Sequence, residues 1–255
     1  MNSLILEQIR REKNMRYRGG LYHKTQVLLA YNSNRIEGSK LTEDQTRSIF
    51  ETNTIGHENG ELLNTDDIIE TANHFKAFDY MLDVADQPLS EKIIKEFHRI
   101  LKSGTSDERL TWFSVGDYKL LANEVGGMET VKPEEVSKAI KALLEGYHAQ
   151  TSIKFEDIIS FHEDFESIHP FQDGNGRVGR LIMFKECLKH DVMPFIIDAE
   201  HKAYYYRGLK EYRHDKTYLN DTCLSAQDKY KLYCEKLMPV DEQMAKTAKE
   251  DNLEL

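Results

Sequence analysis

Apolar residues recur at helical spacing along most of this chain. From Thr65 to Ala85, Ile68, Ala72, Phe75, Phe78, Leu82 and Ala85 return to one face, which predicts an amphipathic helix. Ser90 reads as the N-cap of a helix carrying Ile93, Ile94, Phe97, Ile100 and Leu101, with Gly104 as its stop. Pro133 suits the first turn of a helix that turns Val136, Ile140, Leu143, Leu144 and Tyr147 inward. Ile158, Phe161 and Phe165 stripe a helix over about Phe155 to Ser167, and Val178, Leu181, Ile182, Lys185 and Leu188 mark the next. Lys24 to Glu37, Lys202 to Arg213 and Thr222 to Leu237 complete the helical stretches.

Two segments break the period. Thr52 to Asn64, with Gly56, Asn59, Gly60 and Asn64, reads as a loop, and Leu110 to Thr130, with Gly116, Gly126 and Gly127, is the one place for a β-hairpin. From Met238 the chain turns polar and acidic, as a frayed helix or disordered tail does. The expectation is one mostly helical, all-α unit, divided as an N-terminal helical region (1–64), a core (65–215) and a C-terminal helix and tail (216–255).

Composition narrows the function more than the fold. Of 255 residues, 40% are apolar, and 34 Lys plus Arg face 44 Asp plus Glu for a net charge of −10. That acidity argues against broad nucleic-acid binding but leaves room for a small basic pocket. Cys187, Cys223 and Cys234 are odd in number and lack C-x-x-C spacing, so neither a disulfide framework nor a zinc site is expected. No apolar run reaches the roughly 18 to 20 residues of a membrane span, and Met1 to Arg18 lacks a signal-peptide core. The expectation is a cytoplasmic protein with no membrane or nucleic-acid partner.

Chemistry concentrates in Ser167-Ile168-His169-Pro170-Phe171-Gln172-Asp173-Gly174-Asn175-Gly176-Arg177-Val178-Gly179-Arg180. Pro170 stops the incoming helix, and Gly174 and Gly176 free the backbone of a loop that opens into the next one. Such a loop turns several N–H groups toward one point, where the helix dipole also favours an anion. Arg177 and Arg180 in the first turns oppose that dipole, which makes sense if phosphate sits there. Asp173 would repel phosphate unless a divalent cation such as Mg²⁺ bridges the two. His169, with an ordinary pKa of about 6.5, can accept a hydroxyl proton near neutrality. A base, a metal ligand, an anion nest and two arginines are the parts of phosphoryl-type transfer.

The string His-Pro-Phe-x-Asp-Gly-Asn-Gly-Arg-x-x-Arg resembles the Fic family signature, and every fixed position is present from His169 to Arg180. The resemblance implies an all-helical Fic-type core with a short β-hairpin flap, and transfer of AMP from ATP to a hydroxyl of a protein substrate. By match, His169 is the base, Asp173 holds Mg²⁺, Gly174, Asn175 and Gly176 form the anion hole, Arg177 holds the distal phosphates and Phe171 anchors the loop. The phosphotransferase-like branch lacks both glycines, so their presence favours AMP transfer.

Ser33 and Glu37 stand four apart on one helical face, with Gly38 as a C′ stop. Ser33-Asn34-Arg35-Ile36-Glu37-Gly38 resembles the family's inhibitory motif, placed before the core as in class II. The resemblance implies that Glu37 salt-bridges Arg180 in the γ-phosphate space, and that the protein is a homodimer. Leu121, Ala122, Asn123, Glu124 and Val125 resemble the flap that pairs with a target's extended segment. Tyr205 and Tyr206 match a pair that helps wall the nucleotide, though core packing explains them equally well.

Other readings stay open. His162 and Glu166 are i and i+4, yet without H-E-x-x-H they fit a supporting role better than a metal site. Asp173 could cap the next helix. The same residues could remove AMP by hydrolysis with Glu37 positioning water, could move a different phosphate-containing group, or could serve a nucleotide sensor.

Overall fold

The computed structural model describes residues 2–56 and 62–238. Among these residues the chain forms ten α-helices and one two-stranded hairpin: α1 Asn2–Met15, α2 Leu21–Ile36, α3 Glu43–Thr52, α4 Thr65–Asp83, α5 Glu91–Lys102, β1 Glu124–Val125, β2 Met128–Glu129, α6 Pro133–His148, α7 Phe155–Ile168, α8 Asn175–Lys189, α9 Lys202–Glu211 and α10 Thr217–Leu237. The all-α class with a small β-excursion is therefore observed.

Local chemistry explains most boundaries. Ser90 Oγ accepts from the Ile93 N–H at the start of α5, and Asn64 accepts from Asp66 N at the start of α4. Pro133 occupies the first turn of α6. α3 was not anticipated, although Thr42 and Gln45 form a reciprocal capping box in front of it. α10 begins five residues ahead of the expected Thr222, and α2 runs Leu21–Ile36, with Glu37 as its C-cap. Part of the expected 52–64 loop (57–61) and the tail from 239 lie outside the described residues. The hairpin is shorter than the 110–130 region suggested: Val125 pairs with Met128 and Glu124 with Glu129, across Gly126 and Gly127 at positive φ.

The core is built around α8. Val178, Leu181, Ile182, Met183, Phe184, Cys187 and Leu188 are all buried, because α8 packs on α7, α5, α4, α2 and α1. A helix buried on every side carries no narrow stripe. Burying those side chains is worth on the order of 10 kcal/mol in transfer terms, so α8 is a rigid platform. Even Lys185 is buried, its Nζ donating to Gln87 O at 2.7 Å and pairing with Glu186 at 2.7 Å. One cluster runs from Ile5 and Leu21 through Phe97 and Phe165 to Tyr230, so residues of α1, α2 and α10 share it with the central helices. Cys187, Cys223 and Cys234 are buried and free. No described helix is long and apolar enough to cross a membrane.

Candidate active site

α7 ends at Ile168, and His169 caps it in the left-handed region (φ 51°, ψ 62°). A non-glycine residue there is strained by roughly 1–2 kcal/mol, so the surroundings must hold it. Burial and then the nearby Lys119 charge lower the His169 pKa to about 4, which leaves the imidazole neutral at physiological pH. Its Nδ1 is buried without a partner.

The loop after His169 is clipped shut. Asn175 Oδ1 accepts from Phe171 N, and Asn175 Nδ2 donates to Phe171 O, both at 2.8 Å. Both polar groups of the Asn175 side chain are spent on the loop, which leaves its main chain to face an anion. Phe171 is fully buried, as an anchor should be, and stacks on His98 at 4.0 Å between ring centres. The two glycines serve different ends. Gly174 is the N-cap at φ +84°, a conformation that favours glycine, whereas Gly176 is ordinary helix. A Cβ at Gly176 would run into the Glu37 carboxylate and lie 2.9 Å from Arg180 Nη1. Space, not backbone freedom, is what Gly176 supplies.

Asp173 and Arg177 belong to a network that the sequence did not disclose. Asp173 Oδ2 accepts from Lys102 Nζ at 2.7 Å and Arg177 Nη2 at 2.8 Å, while Arg177 Nη1 pairs with Glu70. Lys102 also pairs with Glu70 at 2.5 Å and Asp107 at 2.7 Å. Burial opposes ionisation of Asp173, but Arg177 and Lys102 outweigh it and hold the carboxyl below its usual range. Asp173 is not the cap of α8; that position is Gly174. One oxygen from each of Glu70, Asp107 and Asp173 lies within 4.8 Å of the others, but the Lys102 ammonium already binds all three. The half-exposed Asp173 is the member open to a divalent cation, which fits a Mg²⁺ held by one carboxylate and substrate phosphates.

One turn further on, Arg180 is buried against α2. Its Nε donates to Ser33 Oγ and its Nη2 to Ser33 O, both at 3.0 Å, and Nη2 pairs with Glu37 at 2.6 Å. The expected Glu37–Arg180 contact is therefore present, with Ser33 joining it and Gly38 at φ +107° ending the turn. Glu166 Oε1 is buried nearby without a partner, and burial followed by the Glu37 charge pushes its pKa up to about 8. His162, fully buried, bonds Tyr205 Oη at 2.6 Å through Nε2. Tyr205 is likewise fully buried, which corrects its expected nucleotide contact: it is a core residue under Arg180, 5.9 Å from the guanidinium. Tyr206 is 40% exposed, and its hydroxyl reaches Ile36 O at 3.4 Å.

The flap differs from expectation too. Glu124 and Val125 form β1, but Leu121, Ala122 and Asn123 precede it. Asn123 Nδ2 donates to Phe171 O at 3.1 Å and Leu121 N to Gln172 Oε1 at 3.3 Å, so this stretch is fastened to the motif. Leu121 and Val125 remain exposed. Glu70, His98, Lys102, Asp107 and Lys119 were missed because no local pattern marks them; helix packing and the path of the 110–119 segment bring them to the loop.

Fold and site together define a helical domain with a histidine-and-arginine loop at the head of a buried helix, beneath a short hairpin. Residues 88–187 match the Fic/DOC family model. Protein adenylyltransferase fic-1 of Caenorhabditis elegans is 26% identical over 197 residues, covering 74% of this chain and 37% of that protein. Protein adenylyltransferase Fic of Nematostella vectensis is 27% identical over 192 residues, covering 72% and 42%. The chain thus spans less than half the length of these curated relatives. Among solved structures, Fic-1 (aa134–508) from C. elegans superimposes with a TM-score of 0.70 at 21% identity, over 92% of this chain and 71% of that one. A Fic family protein from Desulfovibrio desulfuricans G20 gives 0.69 at 20% identity, over 96% and 76%. Over residues 88–187 the chain is thus similar to the Fic/DOC family.

Proposed function

We propose that this protein is a class II adenylyltransferase, transferring AMP from ATP to a hydroxyl side chain of a protein substrate, with Glu37 as a built-in brake. The observation that carries the reading is the pairing of an uncharged His169 at the head of the loop with Arg180 clasped by Glu37 at the loop's far side. Residues 65–215 form the catalytic core in this reading, and 1–64 carry the brake. The resemblance extends the reading to a cytoplasmic homodimer, whose mass light scattering reads.

The acceptor oxygen attacks the α-phosphorus of ATP and forms the new P–O bond. The bond from that phosphorus to the bridging oxygen breaks, and pyrophosphate leaves with its electrons. His169 takes the acceptor's proton. The main-chain N–H groups at the start of α8 receive phosphate oxygens, aided by the helix dipole. Arg177, fixed by Glu70 and Asp173, presents positive charge at the same end. Asp173 would hold Mg²⁺, which would supply neutralisation of the phosphate charge. Arg180 can meet a γ-phosphate only once Glu37 has left it. The flap's open strand Glu124–Val125 offers main-chain pairing to an extended target segment. The Glu37 carboxylate, fixed in the site, also suits ordering a water for removal of AMP.

Incubation with α-labelled ATP and Mg²⁺ tests the reading, comparing the parent, Glu37→Gly and His169→Ala in the Glu37→Gly background. Label on Glu37→Gly protein should exceed the parent at least tenfold, and His169→Ala should cut it by about 10²–10⁴. Absence of label in Glu37→Gly, with ATP still bound, overturns transfer; release of AMP from a modified protein then favours removal.

A further inference from the structure

Lys119 stands at the root of the flap, and among the described residues its charge has no partner of opposite sign to account for it. The side chain is 2% exposed. Its ammonium donates to Asn123 Oδ1 at 2.7 Å, Thr130 Oγ1 at 2.5 Å and Ile168 O at 3.5 Å, all neutral acceptors. Burial alone pulls its pKa down to about 8, with no carboxylate offsetting it. An ammonium buried without a counter-charge is costly, and a neutral side chain could fill the same space. Three of its own bonds explain the location. Thr130 lies just past β2, Asn123 just ahead of β1, and Ile168 immediately before His169. The Lys119 main-chain N–H also donates to Pro170 O at 2.9 Å, so residues 119, 121 and 123 are pinned in turn to 170, 172 and 171.

We propose that Lys119 is a positioning residue of the transfer site: its one buried ammonium fixes the flap's register on the motif and sets the charge that His169 faces. The inference rests on the adenylyl-transfer reading for its consequence, though not for its test. A flap held at residues 119–123 delivers an acceptor hydroxyl to one place relative to His169. Together with burial, the positive charge disfavours the imidazolium. After reaction the proton therefore passes on and the base is restored. The other charges facing His169 are Asp173 in the motif loop and Glu37 at the end of α2, both of which favour protonation, as does the Glu166 main chain on α7. Lys119 is the charge that acts on it most strongly.

The test is an NMR titration of full-length protein carrying ¹³C-labelled histidine, with the His169 signal assigned by its loss in His169→Asn. Parent, Lys119→Met, Lys119→Gln and Lys119→Arg are compared. At pH 5 the parent imidazole should be about one-tenth protonated, given its pKa of about 4. Loss of the charge should raise the midpoint by roughly one unit, to about half protonated, in both the Met and Gln variants. Arg should stay with the parent. Equal protonation across parent, Met and Gln, or an Arg variant that follows Met, overturns the proposal. In the Glu37→Gly background, Lys119→Gln should raise KM for the protein acceptor several-fold and leave KM for ATP unchanged; equal rises in both refute the register role. If Glu37→Gly transfers no AMP at all, the functional reading fails while the histidine titration still decides the role of Lys119.

Discussion

Arg177 and Arg180 sit one turn apart on the same buried helix, each nearly inaccessible, yet they are held in different ways. Arg177 pairs with Glu70 of α4 and with Asp173 of its own loop, both of which also bind Lys102. Arg180 is held by the C-terminal turn of α2, through Ser33 and Glu37. The first arginine belongs to a five-membered charge network of Glu70, Lys102, Asp107, Asp173 and Arg177, in which no member leaves without stranding another charge. The second is closed by a single carboxylate, 28% exposed, at a helix end. Burial by itself therefore does not separate fixed parts from gating parts; what separates them is whether the partner can leave without exposing another charge.

The largest expected effect is on stability. Arg177→Met leaves Glu70 and Asp173 with Lys102 alone and should cost about 3 kcal/mol, the low end for breaking a buried pair because Lys102 remains. Arg180→Met should cost about 1–2 kcal/mol, since Glu37 can turn to water. Urea midpoints of the two variants measure this, and equal losses would erase the distinction. Next comes the latch. Ser33→Ala removes the Oγ bond but keeps the main-chain acceptor, so AMP transfer should rise about fivefold, corresponding to ~1 kcal/mol and well short of Glu37→Gly. A Ser33→Ala variant as active as Glu37→Gly would mean that the serine, not the carboxylate, holds the latch.

A further effect is a pH slope. Glu166, pushed up to about 8, keeps in the folded state a proton that the unfolded chain releases near pH 4.3. Its contribution is thus full below about pH 4.3 and is lost as pH rises toward 8. Glu166→Gln should gain melting temperature over the parent progressively between pH 5 and pH 8. A constant offset across that range would show that Glu166 carries no excess proton beside the Arg180 latch.

Much of this was legible in the chain. Ser90 and Pro133 start their helices through features within a few residues, so local pattern suffices, whereas the Asn64 cap was read only as loop. The motif from His169 to Arg180 was equally visible, because a loop of contiguous residues gathers most of its own atoms. The flap was overextended, since Gly126 and Gly127 announce a turn but say nothing of how few residues pair on either side. α3 was passed over although its capping box was present, because the helix is short and its apolar positions few.

The sequence alone determined the helical class and the site's location, since each is written in spacing of four residues or fewer or in an unbroken motif; the opposition of Glu37 to Arg180 was implied only by the family resemblance. The tertiary structure decided which polar groups are free. Asn175 turns inward onto Phe171, Tyr205 sinks beneath Arg180, and Lys102 fills the place among three carboxylates. The Asn175 clip spans only four residues, but the arginines meet partners far off in sequence, Glu70 for Arg177 and Ser33 for Arg180, brought in by packing around α8. Desolvation and pairing at such range set the charge of His169 and of Asp173, and no local pattern of residues encodes them.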